Sequence, residues 1–399
     1  MRVVVHDFSG HPFQAELARS LAARGHAVLH VQCASYPSGK GSFVVDDHGN
    51  PEYASIAVGD VFERYRTSRR LVHELRYARR FTRLAGAFRP DLVLSCNDPL
   101  IAKARFGSWA GRKRIPWVFW LQDLYSIAMA REAARRSRLG RGLGAVLQGI
   151  ERSLLRRSDV VVAITEDFGG ILDDWGIPEE KRTVIENWAP LDEVPPRPRD
   201  NAWRHEVGLD DRFVYLYAGT LGLKHNPDLL FDLAADDPTA DVVVVSEGLG
   251  ADRLRARLAA HPLPNLRLLP FQPWESLPDV LGAADVLVVL LEAEAGVFSV
   301  PSKILTSLCA GRPILAAMPE ANLGARTIAR AEAGIVVAPG DPSSFLAAAR
   351  ELRSSTELRG RMGAAARAHA ETAFDIERIT DRFVDVMERA VHHEREAKV

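Results

Sequence analysis

Residues 296–318 read GVFSVPSKILTSLCAGRPILAAM. Pro301 and Ser302 close a loop, and Lys303 begins an apolar run at helical spacing. Cys309-Ala310-Gly311 stops that run, Arg312-Pro313 breaks it, and Ile314-Leu315-Ala316-Ala317 follows as a short buried strand. Ser302 is expected to cap the helix, its hydroxyl accepting from a first-turn amide that has no helical partner. With Lys303 beside it, that helix start gathers amides, partial positive charge and one full charge, a combination that draws phosphate. The same pattern also fits an ordinary capped helix packed between two strands.

The alternation continues on both sides. Upstream, residues 214–218 form a strand and Gly219-Thr220-Leu221-Gly222-Leu223-Lys224 a glycine-containing loop. A helix over 228–234 and a strand over 241–245 follow, the strand running into Ser246-Glu247-Gly248. Residues 266–269 lead to Phe271-Gln272, and 284–291 make a strongly apolar strand. Downstream come a strand at 335–338 and helices to the end. The N-terminal half shows the same grammar. Residues 3–5 are an apolar strand, HDFSGHPFQ a loop, 15–24 a helix stopped by Gly25-His26, and 27–31 a second strand. Strand–helix–strand is the opening of a doubly wound α/β sheet.

The first loop contains Ser9-Gly10-His11-Pro12 but lacks the three-glycine dinucleotide fingerprint, which argues against a nicotinamide cofactor. A glycine-bearing loop after the first strand faces the crevice at the carboxyl end of the sheet. Gly10, His11 and Gln14 are therefore candidate substrate contacts, with loop packing the alternative for each. Strands at 91–95 and 118–121 end in Asn97-Asp98 and Gln122-Asp123, polar tips aimed at one crevice. The strand at 160–164 ends in Thr165-Glu166. Asp98, Asp123 and Glu166 are candidate crevice contacts or simply cap strand ends. Residues 36–60 read as a long polar loop. Residues 62–89 carry nine arginines among Tyr65, Leu71, Leu75, Tyr77, Phe81 and Leu84, and 131–157 is a second arginine-dense helical stretch. A basic amphipathic helix fits an anionic membrane face or a solvated layer equally.

Length and composition set the frame. With 399 residues and 47% apolar content the chain can bury two cores. Residues 1–190 carry 28 Lys+Arg against 21 Asp+Glu, the remainder 23 against 31. The basic half suggests an anionic partner, or scattered surface charge. Basicity is too mild, and recognition motifs too absent, for nucleic acid. Cys33, Cys96 and Cys309 lack ligand spacing and read as small buried apolar residues of a reducing compartment. Met1-Arg2 leads straight into a strand, leaving no room for a signal peptide, and no apolar run approaches the roughly 20 residues that span a bilayer. A cytoplasmic protein is expected, with peripheral contact at the inner face of the plasma membrane as an option. No Asp-x-Asp and no His/Cys cluster of metal spacing occurs, so no metal is expected. The expected domains are 1–190, a proline-rich linker at 191–200, 201–375, and a C-terminal helix at 376–399 crossing back to the first domain.

Together the segments YAGTLGLKHNPDLL, SEGLGADRL, PFQPWESLPDVLGAADVLVV, the PSK-to-GRP stretch and AGIVVAPGDPSSF resemble the donor domain of the family 4 retaining glycosyltransferases. SGHPFQAELARSLAARGHAVLHVQCAS, FWLQDLY and VIENWA fit the first domain of the same family, nearest to the branch that transfers amino- or deoxy-sugars in bacterial surface-polysaccharide assembly. The resemblance implies the GT-B fold, two Rossmann-like doubly wound domains facing across a cleft. It implies a hexosyl- or N-acetylhexosaminyl-type transferase using a UDP- or GDP-linked sugar, no cofactor, and a glycan or polyprenyl-diphosphate-linked acceptor. Gly219, Thr220 and Lys224 then fall on the donor-diphosphate loop, and Phe271-Gln272 on the base-reading segment. Glu247, Ser299, Val300, Pro301, Ser302, Lys303 and Thr306 complete the expected donor contacts. The family's Glu-x7-Glu pair should stand at 298 and 306, where this chain has Phe298 and Thr306. Gln122 occupies the place of a catalytic-site histidine, with Asp123 behind it, so Gln122, Asp123 and Lys224 are the expected catalytic set, and Gly10, His11, Gln14, Asn97, Asp98 and Glu166 the acceptor contacts. Two further classes stay open: a catalytically silent nucleotide-binding scaffold, suggested by the missing glutamates, and a nucleotide-sugar epimerase.

Overall fold

Short runs of Val, Leu and Ile, too brief for helices, become the strands of two parallel sheets. A computed structural model describes the chain apart from residues 37–42, 60–66, 97, 128, 131–137, 223, 294–295, 297–299 and 397–399. Among the described residues the chain forms two units, Met1–Asn187 with Ile376–Val399, and Trp188–Asp375.

The first unit contains β1 (Arg2–Asp7), α1 (Pro12–Ala23), β2 (Ala27–Cys33), β3 (Glu52–Ile56), α2 (Thr67–Phe88), β4 (Leu92–Cys96), α3 (Leu100–Lys113), β5 (Trp117–Leu121), α4 (Arg138–Arg157), β6 (Val160–Ala163), α5 (Gly169–Asp174) and β7 (Arg182–Val184). The second contains α6 (Ala202–Glu206), β8 (Phe213–Ala218), α7 (Asp228–Asp236), β9 (Ala240–Val245), α8 (Leu249–Ala260), β10 (Leu266–Leu269), α9 (Leu277–Gly282), β11 (Val286–Leu290), α10 (Lys303–Cys309), β12 (Ile314–Ala317), α11 (Leu323–Arg330), β13 (Gly334–Val337), α12 (Pro342–Ser354) and α13 (Thr356–Ala373). The last helix, α14 (Ile376–Glu396), belongs to the first unit.

The strand orders are β3-β2-β1-β4-β5-β6-β7 and β10-β9-β8-β11-β12-β13, all pairings parallel. Each order reverses beside the first strand of its unit, between β1 and β4 and between β8 and β11. At such a reversal the loops after adjacent strands diverge to opposite faces and leave a crevice beyond the carboxyl ends. β4, β5, β6, β9, β11 and β12 are buried along their whole length, as strands covered on both faces require. In the first unit α3 packs between α2 and α4, and α14 packs against α1 and beneath β4, β5 and β6. Phe383 of α14 meets Trp120 with ring centroids 4.6 Å apart, Thr380 hydrogen-bonds Ser20 at 2.9 Å, and Arg24 pairs with Glu377 at 2.8 Å.

Two local features differ from expectation. The supposed loop 36–60 contains β3, an edge strand paired to β2 alone. One-sided pairing leaves four of its five residues at least partly exposed, so EYASI carries no apolar run to signal it. The helix at Lys303 begins without the expected cap. Ser302 sits at helical φ −61°, ψ −22° rather than extended angles, and its hydroxyl caps no first-turn amide. The proline-rich segment before α6 lies on the second unit: Arg199 Nε donates to Asp285 at 3.0 Å, and Arg312 reaches Arg197 O at 2.9 Å.

Candidate functional site

The carboxyl end of the second sheet gathers the phosphate-type residues. After β8 the chain turns at Gly219, whose φ of +125° is a glycine conformation. A Cβ there would stand 3.3 Å from Lys303 Cε and 3.6 Å from Nζ, so the missing side chain makes room for the lysine. Lys303 Nζ lies 3.9 Å from the Tyr217 ring centroid and hydrogen-bonds its hydroxyl. That hydroxyl donates in turn to Thr220 O at 3.0 Å. Burial, and then the charge of Lys224, hold the Lys303 ammonium well below the ordinary lysine range. Burial likewise pushes the Tyr217 phenol up. Among the described residues no carboxylate pairs with Lys303.

His225 completes the cluster. Its Nδ1 accepts the Gly222 N–H at 2.9 Å, which fixes a neutral ring with its proton on Nε2. Burial, then Lys303 and Lys224, push it down to about 3. Neighbouring loops clamp the segment from both sides. Ser246 Oγ and Glu247 O share the Leu221 N–H at 2.9 and 3.2 Å. Leu221 O accepts from Gly250 N at 2.8 Å, and Lys224 O from Glu292 N at 2.9 Å. A loop held by these backbone hydrogen bonds, with Lys303 and Lys224 close enough for each to feel the other's charge, can accept a polyanion at little reorganisation cost.

The other expected donor contacts are more scattered. Lys224, Glu247 and Ser302 are exposed, Val300 is half-buried and Pro301 buried. Thr306 turns its hydroxyl back to Lys303 O at 3.1 Å. Phe271, 41% exposed, and Gln272 follow β10, two strands away from β8. Gln272 accepts the Trp203 indole N–H at 3.1 Å and donates to Pro270 O at 3.0 Å. Ser299 and Phe298 lie outside the described residues.

At the carboxyl end of the first sheet, Asp7 organises the turn that carries Gly10 and His11, whereas Gln14, expected in the loop, stands in the first turn of α1 because the helix already begins at Pro12. Its carboxylate accepts from Ser9 N at 3.0 Å and from His11 N, and lies 2.8 Å from His11 Nδ1. Burial raises the Asp7 pKa, but the His11 charge and hydrogen bonds, with His30, outweigh it, and the net shift is downward. Gly10 makes the turn at φ +72°, and Gln14 is fully buried. Asp98 is also buried, 2.9 Å from His6 Nδ1 and 3.5 Å from Lys103 Nζ, so its carboxylate braces the loop after β4 from within. Gln122 and Asn187 exchange amide hydrogen bonds, one at 2.9 Å. Asp123 is half-buried and Glu166 exposed, while Asn97 lies outside the described residues. Ser126 N and Oγ both donate to Glu151 Oε2, at 3.1 and 2.6 Å, which ties the loop after β5 to α4. Burial raises the Glu151 pKa even so. Among the described residues no group of His, Cys, Asp and Glu is placed to hold a metal.

Sequence reasoning missed Asp7, His6, Lys103, Glu151, Tyr217 and His225. Asp7 stands at a strand's carboxyl tip, and Glu151 is the lone acid of an arginine-rich helix, signals that were available. Tyr217 and His225 matter through register and loop shape, which composition does not reveal.

Two family models match the chain, a glycosyl transferase 4-like domain over residues 11–188 and glycosyl transferases group 1 over 200–369. A D-inositol 3-phosphate glycosyltransferase of Streptomyces scabiei is 27% identical over 274 residues, 62% of this chain and 58% of that one, so the alignment spans little more than half of that relative. The putative colanic acid biosynthesis glycosyl transferase WcaI of Escherichia coli is 25% identical over 306 residues, 75% of this chain and 74% of that one. Among solved structures, Anabaena Alr3699/HepE in complex with UDP and glucose superposes with a TM-score of 0.71 at 17% identity, covering 97% of this chain and 99% of that one. With one glycosyltransferase model on each unit and two doubly wound parallel sheets, the chain belongs among the GT-B glycosyltransferases.

Proposed function

We propose that the protein transfers a hexosyl or N-acetylhexosaminyl group from a UDP- or GDP-linked donor to a glycan or lipid-linked acceptor in surface-polysaccharide assembly, with retention and without metal. The observation that carries this reading is Lys303, a half-buried lysine with no described carboxylate partner, beside the Gly219–Thr220 turn and Lys224. Such a site lowers the barrier as charge grows on the leaving diphosphate, because its dipoles and cations are already oriented. The departing phosphate oxygen can accept the acceptor's proton on the same face of the sugar, so no protein nucleophile is needed. Phe271 and Gln272 would meet the base, and His11, Gln122, Asp123 and Glu166 would line the acceptor side. The 25% identity to a colanic acid transferase supports the polysaccharide setting, and the basic first unit supports an anionic acceptor at a cytoplasmic membrane face. Thermal shift with UDP and GDP tests the donor half. A ligand at 100 times its Kd stabilises by about 2.7 kcal/mol. The expected outcome is a shift with one nucleotide that Lys303→Met removes, together with a loss of turnover of roughly 100- to 1000-fold. A shift that survives Lys303→Met overturns the assignment.

A second reading, a catalytically silent nucleotide-binding scaffold, is favoured by Thr306, whose hydroxyl is bonded within its own helix at the position where the family resemblance implies a glutamate. Sugar transfer by the purified chain alone excludes it.

A further inference from the structure

The inward face of α4 is a buried stripe at Gly144, Leu147, Glu151, Leu154 and Leu155, spaced three or four residues apart. A leucine at its centre would continue the stripe without the cost of taking a charge out of water. Glu151 stands there instead, 2% exposed. Its Oε2 accepts both donors of Ser126, backbone and hydroxyl, on the segment that begins with Gln122 and Asp123. Nearer the N-terminus of α4, Gly144 meets the far end of that segment. A Cβ on it would stand 2.7 Å from Ala130 Cβ and 2.9 Å from Ala130 Cα. The segment is therefore seated on α4 at two points, one polar and one steric. Around Glu151, the Lys103 charge on α3 favours the ionised form and the Asp123 charge opposes it. Lys103 Nζ also lies 3.5 Å from Asp98, Asp98 lies 2.9 Å from His6 Nδ1, and His6 Nε2 lies 2.8 Å from the Tyr77 hydroxyl. These buried groups run from beneath the loop after β5 to the end of β1.

We propose that Glu151 and Gly144 are positioning residues: α4 is the platform that holds the segment 122–130, and the Glu151–Ser126 pair fixes where Gln122 and Asp123 stand. The paired amides of Gln122 and Asn187 grip the start of the segment from its other side. Placement of this kind matters because groups displaced by about 1 Å from productive geometry can lose 100-fold in rate. Glu151 is too deeply buried to touch substrate itself. A purely structural role gives no reason for a carboxylate here, since apolar side chains of similar volume often replace buried charges at no loss of stability. What a carboxylate adds is direction, two hydrogen bonds aimed at one residue of one loop. The consequence for sugar transfer rests on the transferase reading, whereas the seating of the segment does not.

Hydrogen–deuterium exchange of the full chain, read by mass spectrometry, follows the segment without any substrate. In Glu151→Leu and, separately, in Gly144→Ala, peptides covering 122–130 are expected to exchange about tenfold faster, while those of β1, β4 and β5 keep their protection. Glu151→Gln, which keeps an oxygen for Ser126, should restore slow exchange. Turnover is read as nucleoside diphosphate released from UDP-glucose and from GDP-glucose. In Glu151→Leu it should fall roughly 100-fold with the donor KM and the nucleotide thermal shift retained, and Glu151→Gln should regain most of it. A general loss of structure would instead move every peptide and the donor KM together. If Glu151→Leu fails to fold by circular dichroism, Gly144→Ala decides the matter. Unchanged exchange over 122–130 in both variants overturns the proposal, as does full turnover by a variant whose segment has loosened. Absence of turnover by the unsubstituted chain with either donor counts against the transferase reading alone, and the exchange result then decides the seating.

Discussion

At the scale of single residues the site is a problem in proton accounting. Lys303 in an unfolded chain keeps its proton up to the usual lysine value near 10.5, whereas burial and Lys224 discharge it at lower pH in the folded protein. Below that usual value the unfolded state therefore holds the extra proton, and Lys303 favours folding more as pH rises toward it. An incoming diphosphate reverses the imbalance by supplying the missing counter-charge. Calorimetric titration of nucleotide at mildly alkaline pH, in two buffers of different ionisation enthalpy, should register proton uptake that Lys303→Met abolishes. His225 works in the acid range. Its folded value of about 3 lies below the ordinary 6.5, so between those limits the unfolded chain is protonated and the folded chain is not. Stability should fall as pH drops through this window, by up to about 1.4 kcal/mol per pH unit. His225→Gln should flatten the dependence of the melting temperature on pH there. That Lys303 starts a helix and Gly219 opens the loop after a strand was legible from residue type and order. Tyr217, which seats the lysine, was not, since nothing in FVYLYA says which tyrosine reaches the strand's end beside α10.

Elements test the reading of pattern. Continuous apolar runs located nearly all strands, because a strand covered on both faces must be apolar throughout. β3 escaped because an edge strand has no such duty, and the cap at Ser302 failed because the chain enters α10 already helical. Close approach of backbones is equally silent in sequence. Gly334 pairs with Ile314 at the start of β12–β13, and a Cβ there would come within 2.0 Å of Ile314 O. The obstacle is main chain, so no rotamer change relieves it. Gly334→Ala is expected to cost about 1–3 kcal/mol or more as the two strands part. A lowered urea midpoint measures it, and an unchanged midpoint would show that the strand slides aside freely.

For the molecule as a whole, two repetitions of one strand–helix grammar announced two parallel sheets. The first unit is assembled from both ends of the chain, and α14 supplies part of its core. Phe383 is fully buried against Trp120. Phe383→Ala should cost about 3–5 kcal/mol, with the melting of the first unit moving down and that of the second left in place. Calorimetry that resolves the two transitions distinguishes this from a uniform loss.

The same discontinuity has a temporal side. During synthesis Met1–Asn187 leaves the ribosome first, and the 188 residues of Trp188–Asp375 must be translated before the helix that covers it appears. At 5–20 residues per second that interval is about 10–40 s. Throughout it the apolar surface destined for Phe383, Val386 and Met387 stays open to water, so nascent first units on crowded polysomes are exposed to one another. Expression yield should accordingly depend on holdase chaperones and on slow translation through the second unit far more than equilibrium stability alone would suggest.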